Sequence, residues 1–183
     1  MANPKLIIII GVSGSGKTTL ASRLAETLNW SFIEADEFHT ADARDKMSRG
    51  IALNDSDREP WIDSIEKFLQ EKFSQNRNLV LAYSGLKQTH RQRFRALGFQ
   101  TVFLYLQARS AEIKRRLSSR QQHFFNAALL DSQFAAMESP QNESDIYPLD
   151  NSFAIEESLG LCLHKLVAAK ILSQSLLTHK EKN

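Results

Sequence analysis

A single cysteine, Cys162, is all that 183 residues provide, so no internal disulfide can staple this chain. Together with the lack of a charged leader followed by an apolar core, that predicts a resident of the reducing cytoplasm. Cys162 lies in the apolar helical stretch 159–166, which predicts a packing role for its thiol. Charge of one sign is lacking too: 23 Lys and Arg against 21 Asp and Glu leave a net charge of +2. There is no run of like charge and no basic stripe interleaved with aromatics, which argues against a nucleic-acid partner and for a small anion. No apolar run reaches the roughly 18 residues of a membrane span, so no membrane partner is expected. No internal repeat is visible. A hydrophobic fraction of 42% is enough for one core, and the expectation is a single domain over 1–183.

Glycine is also scarce, seven in all, yet three of the seven fall between residues 11 and 16. They belong to Leu6-Ile-Ile-Ile-Ile-Gly-Val-Ser-Gly-Ser-Gly-Lys-Thr18, an apolar strand running into Gly-x4-Gly-Lys-Thr. This is the Walker A spacing, at which backbone N–H groups turn inward around a phosphate chain above a helix N-terminus. Gly11, Gly14 and Gly16 leave the concave backbone free of side chains. Lys17 would sit between the β and γ phosphates and the Thr18 hydroxyl would complete the coordination of magnesium. The nucleotide-binding set is therefore Gly11, Ser13, Gly14, Ser15, Gly16, Lys17, Thr18 and Thr19, with ATP and Mg2+ as cofactors. Leu20, Leu24 and Leu28 share one face of the helix that follows.

Strand patterns recur at Leu6–Ile10, Ser31–Glu34, Leu79–Tyr83 and Thr101–Leu106, with helical patterns between them. This alternation predicts an α/β fold, a P-loop NTPase-type parallel sheet flanked by helices, with ligands beyond the carboxyl ends of the strands. Asp145–Asp150 reads as a short fifth strand that Pro148 confines to an edge. A lid segment is expected at about 110–136, where Arg116 and Arg120, spaced i, i+4, can point together over a transferring phosphoryl group. Lys114 and Arg115 read instead as a solvated basic face.

Three clusters could serve a phosphoryl acceptor. Glu34-Ala35-Asp36 ends the second strand, where Asp36 could take the proton of an attacking hydroxyl or hold magnesium through water. Leu53-Asn-Asp-Ser-Asp-Arg-Glu-Pro-Trp61 runs into a helix that Pro60 can begin and Asp57 can cap. Arg58 there could clamp a carboxylate or phosphate. Trp61 reads as core, since Trp61, Ile65, Phe68 and Leu69 share a helical face. Tyr83-Ser84-Gly85-Leu86-Lys87 ends the third strand without the acid that many P-loop enzymes place there, and Lys87 offers a second positive charge.

Taken together, Gly11–Thr18, Asp36-Glu-Phe-His39 with Lys46-Met47, the Leu53–Trp61 run, Ser84-Gly-Leu-Lys87 with Arg91, and Arg120-Gln-Gln-His-Phe-Phe125 with Leu130 and Ser132-Gln-Phe134 resemble the gluconate kinase family of P-loop carbohydrate kinases. The resemblance covers nearly the whole chain. It implies a nucleoside/shikimate kinase-like fold with a mobile lid, and transfer of the γ-phosphoryl of ATP to the terminal hydroxyl of D-gluconate. It also implies a homodimer as the working assembly. Asp36, Lys17, Arg116 and Arg120 become the catalytic residues, and Thr18 and Asp36 the magnesium ligands. Asp36, His39, Arg58, Ser84, Lys87, His123 and Gln133 become the sugar-acid pocket. The chain departs from the family pattern at Glu34-Ala35, Thr40, Ala43, Tyr83 and Gly85, all expected around the acceptor. A kinase of another small hydroxy acid or polyol, or a nucleotide-binding regulatory protein whose acceptor pocket has drifted, is the alternative.

Overall fold

The computed structural model of the chain describes residues 3–107, 111–113, 127–150 and 152–175. Five strands, β1 (Lys5–Ile10), β2 (Ser31–Glu34), β3 (Leu79–Tyr83), β4 (Gln100–Gln107) and β5 (Ile146–Asp150), form one sheet in the order β2-β3-β1-β4-β5. Every neighbouring pair is parallel. Six helices, α1 (Lys17–Leu28), α2 (Ala41–Ser48), α3 (Asp55–Ser74), α4 (Gln88–Arg95), α5 (Ala127–Ala136) and α6 (Ile155–Ala168), and a 3-10 helix (Ala35–Phe38) complete the described elements. The strands expected from the sequence are found within one residue at each end, and β5 lies at the sheet edge with Pro148 opposite Tyr105.

The sheet is buried on both faces because β1 is apolar at every position after Lys5, and its residues alternate between two cores. Ile7 and Ile9 pack with Val80, Leu104 and the inward sides of α1 and α6, among them Leu20, Leu24, Leu163 and Cys162. Leu6, Ile8 and Ile10 pack on the other face with Leu81, Tyr83, Phe103 and the α3 residues Trp61, Ile62, Ile65 and Leu69. Burial pushes the Cys162 thiol up to about 12, which fits a packing residue. Among the described residues no helix is long and apolar enough to cross a membrane.

One boundary differs from the sequence reading. Helix α3 starts at Asp55, five residues before Pro60, because Asn54 caps it reciprocally with Asp57. The Asn54 Oδ1 accepts the Asp57 N–H at 2.9 Å and the Asp57 Oδ2 accepts the Asn54 N–H at 3.1 Å. Asp57 is thus the third helical residue of the capping box, and Pro60 lies in the second turn. In the order β2-β3-β1-β4-β5, β1 passes across β3 to reach β2 and the chain later returns to β4 on its far side. The carboxyl ends of β1 and β3 flank the switch point, where an open α/β sheet leaves its crevice.

Candidate active site

The phosphate loop leaves β1 through glycines with positive φ at 11, 14 and 16 (151°, 78° and 94°). At Gly11 a β-carbon would lie 2.9 Å from both the Leu106 carbonyl oxygen and Ser15 Oγ, so the residue type is dictated by space as well as by φ. The Gly11 N–H donates to the Ser84 carbonyl at 3.2 Å, joining the loop to the end of β3. Lys17, the first residue of α1, folds back so that its Nζ donates to the Val12 carbonyl at 3.1 Å. Burial lowers the Lys17 pKa, opposed by the charges of Asp36 and Glu34.

At the end of β2, the Thr18 hydroxyl donates to Glu34 Oε2 at 2.6 Å. Burial raises the Glu34 pKa, and the hydrogen bond from Thr18 works against it. Asp36 follows on the 3-10 helix with its side chain 70% exposed and its Oδ1 3.8 Å from His39 Nε2. His39 is buried and stacked on Trp61, with ring centroids 4.2 Å apart and planes 19° from parallel. The Trp61 Nε1–H donates to the Ala35 carbonyl at 2.7 Å, which locks the indole beneath the imidazole. His39 Nδ1 is buried and has no hydrogen-bond partner among the described residues. Burial lowers the His39 pKa despite the nearby Asp36 charge, while Arg44 and Arg58 lower it further, so the ring is neutral at pH 7.

These groups meet in a cavity of about 110 Å³ beside the phosphate loop. Of the residues singled out from the sequence, Ser13, Lys17, Asp36, His39, Arg58, Ser84 and Gln133 line it. Met47, Leu53, Trp61, Leu86 and Leu129 supply an apolar wall. Arg58 is held by Asp55, with Nη1 2.8 Å from Oδ1. Lys87 lies outside the lining, its Nζ 3.7 Å from both Asp55 Oδ2 and Glu138 Oε1. Arg116, Arg120 and His123 fall outside the described residues, as does most of the expected lid; the parts described are 111–113 and α5.

Three positions expected around the acceptor do not themselves line the cavity, though Gly85 lies between Ser84 and Leu86, which do, and Tyr83 packs on Trp61 of its wall. The Tyr83 phenol is buried 3.1 Å from His90 Nδ1, burial raises its pKa, and it does not line the cavity. Ala43 is buried, with its N–H capped by Thr40 Oγ1 at 3.2 Å. Gly85 underlies Ile10. Conversely, Glu34 rather than Asp36 accepts the Thr18 hydroxyl, and an acid at the last position of a strand beside the Walker A threonine is a legible signal for it. Met47 and Ser132, which lie in the segments that carry the family resemblance, also line the cavity, and Leu129 joins them with no signal in its own residue type.

A Walker A loop over a helix N-terminus, with a carboxylate, a cation and a neutral imidazole around an adjoining cavity, defines a P-loop small-molecule kinase. A family model described as "AAA domain" matches residues 6–140. The chain is 37% identical to the thermosensitive gluconokinase of Escherichia coli over 164 residues, 89% of this chain and 88% of that protein. It is 36% identical to the gluconokinase of Gluconobacter oxydans over 143 residues, 78% of this chain and 80% of that one. The crystal structure of a gluconokinase from Sinorhizobium meliloti superposes with a TM-score of 0.79 at 29% identity, covering 98% of this chain and 99% of that chain. The chain belongs to the gluconokinase family.

Proposed function

We propose that this protein transfers the γ-phosphoryl group of ATP to the terminal hydroxyl of D-gluconate, giving 6-phosphogluconate and ADP. The observation that carries the reading is the cavity in which Lys17 of the phosphate loop and the Asp36 carboxylate face the same space as Arg58 and His39. A sugar acid presents one carboxylate and several hydroxyls, and this lining has a counterpart for each. The Arg58 guanidinium suits the carboxylate. The neutral His39 ring, Ser84, Ser132 and the second N–H of the Gln133 amide, whose other groups bond Ser13, offer mixed donors and acceptors to hydroxyls. Asp36 takes the proton from the attacking hydroxyl as the O–P bond forms and releases it to solvent afterwards, while Lys17 balances charge on the phosphoryl oxygens. Arg116 and Arg120 belong to the same reading as cations closing over the phosphates.

The oxygen donors at the end of β2 suit a small hard cation: Thr18 Oγ1 lies 2.6 Å from a Glu34 carboxylate oxygen, with Asp36 two residues further on. Among the described residues no group of three or more His, Cys, Asp or Glu forms a ready-made cage, so the proposed magnesium would keep much of its water. Thr18 would hold it directly and Glu34 and Asp36 through water, and the ion would neutralise phosphate charge when bound. A homodimer working in the cytoplasm completes the proposal.

The test is a coupled ADP-release assay over a panel of sugar acids and polyols. Gluconate-dependent turnover is expected, and Asp36→Asn is expected to lower kcat about 10²-fold or more, the usual cost of removing a general base, while leaving nucleotide affinity within a few-fold. Turnover that persists in Asp36→Asn within about tenfold would remove the base assignment, and turnover on another acid but not on gluconate would remove the substrate.

A further inference from the structure

The side-chain amide of Gln133, on α5, makes two bonds to one residue of the phosphate loop. Its Oε1 accepts the Ser13 N–H at 2.7 Å and its Nε2 donates to Ser13 Oγ at 3.0 Å, across 120 positions of sequence. Both residues line the acceptor cavity, so one contact belongs to both halves of the site. The far end of α5 is fixed as well. The Glu138 N–H donates to the Leu86 carbonyl at 2.8 Å, and the Gln88 N–H donates to Glu138 Oε2 at 2.6 Å. The buried Arg91 donates to the Gly85 carbonyl at 2.5 Å and to the Glu138 carbonyl at 3.2 Å. Val12, Leu86, Ile113 and Leu130 form a small apolar cluster of their own, separate from the two cores that flank the sheet. The phosphate loop, the loop after β3 and α5 are thereby tied into one unit that rests on the sheet's carboxyl edge.

We propose that Gln133 is a positioning residue that couples nucleotide binding to acceptor binding through Ser13. The inference rests on the kinase reading above and adds to it a thermodynamic link between the two ligands. A ligand that orders the phosphate loop also orders α5 and the cavity wall it carries, because the paired amide bonds move the two together. The second ligand then meets a wall already in place and loses less conformational freedom, so each ligand tightens the other by the same factor. An amide serves this role because it offers an acceptor to the N–H and a donor to the hydroxyl at once.

Calorimetric titration of gluconate into the protein, with and without a non-hydrolysable ATP analogue and magnesium, tests the link. In the wild type the analogue is expected to raise gluconate affinity about fivefold or more, the lower end of ordinary coupling. In Gln133→Ala the ratio should fall to within about twofold of one, and in Ser13→Ala, which keeps the N–H bond and loses the hydroxyl bond, it should lie between. A purely structural role would shift melting temperature or both affinities and leave the ratio intact. A wild-type ratio of one, or an unchanged ratio in Gln133→Ala, overturns the proposal. If Gln133→Ala melts too low to titrate, Gln133→Glu keeps the chain length and the acceptor but loses the donor, and the same ratio decides. Amide hydrogen exchange across residues 127–136 on adding the analogue alone gives a readout that needs no acceptor. Slower exchange in the wild type and none in Gln133→Ala supports the link, and equal responses overturn it. A wild type that binds no gluconate yet shows the exchange response would sink the sugar-acid reading while leaving the coupling standing.

Discussion

Gly85 has a φ of 66°, and a β-carbon built there would lie 2.5 Å from Ile10 Cγ2 and 2.7 Å from Ile10 Cβ. An L side chain in that backbone region costs about 1–2 kcal/mol, and forcing extra volume into a packed site adds about 1–3 kcal/mol. Gly85→Ala is therefore expected to lower the unfolding free energy by about 2 kcal/mol or more in a urea titration. Adding Ile10→Ala, which removes Cγ2 and keeps the Cβ at 2.7 Å, should cost somewhat less than the sum of the two single changes. Strict additivity would show that the Cγ2 contact is not the cause. Trp61 makes a different demand, since its Nε1–H donates to the carbonyl of the fully buried Ala35. Trp61→Phe keeps a ring under His39 but removes the indole N–H that reaches that carbonyl, which predicts a stability loss of about 1 kcal/mol by thermal melting. No loss would mean that the turn finds another donor.

Helix α3 carries Arg58 and Trp61 in its first two turns, so its N-terminal cap bears on both stability and the acceptor cavity. Asn54→Ala removes the oxygen that accepts the Asp57 N–H, and a stability loss of about 1 kcal/mol is expected. Fraying of the first turn should also raise the KM for the acceptor more than the KM for ATP; a rise confined to ATP would contradict this placement of α3. The strands were legible in the sequence because a parallel strand buried on both faces needs little but a short apolar run. The start of α3 was less so, because Pro60 suits a first turn and its presence in a second turn depends on the stronger reciprocal bonds of Asn54 and Asp57. The family pattern puts Tyr83 around the acceptor, yet Leu79, Leu81 and Tyr83 alternate onto the strand face that packs on Phe94 and Trp61. That period of two was readable. The pairing of Lys87 with Asp55 and Glu138, and of Gln133 with Ser13, joins segments far apart in sequence and becomes visible only in the folded chain.

At the scale of the whole molecule, the segment that follows α5 is bound back to the sheet by a buried ionic network. Arg91 has no exposed surface; its Nε lies 3.1 and 3.2 Å from the Glu143 oxygens and its Nη2 also pairs with Glu143. Arg95 reaches Glu143 Oε2 at 2.7 Å and the two Asp145 oxygens at 2.8 and 2.6 Å, and its guanidinium lies over the Phe103 ring. Burial alone would raise the Glu143 pKa, but the hydrogen bonds and charges of Arg91 and Arg95 outweigh it and hold the carboxyl below the usual value. A folded-state pKa below the unfolded one contributes stability above the unfolded value, about 4.3 for a glutamate, and that contribution is lost as pH falls through the folded value. Removing one member of a buried pair leaves the other charge uncompensated, so Glu143→Gln should cost about 3–5 kcal/mol at pH 7. The gap between wild type and Glu143→Gln should hold from neutral pH down to about pH 5, narrow below about pH 4.3, and close as pH falls through the lower value of the folded carboxyl. Parallel stability curves from pH 7 to pH 3 would show that Glu143 contributes through shape and not through charge. Because Arg91 also donates to the carbonyls of Gly85 and Glu138, the same acid titration should loosen the attachment of α5 to the loop after β3. Faster exchange at residues 127–136 at pH 3 than at pH 7, after correction for intrinsic rates, is the expected sign, and Glu143→Gln should show that faster exchange already at pH 7.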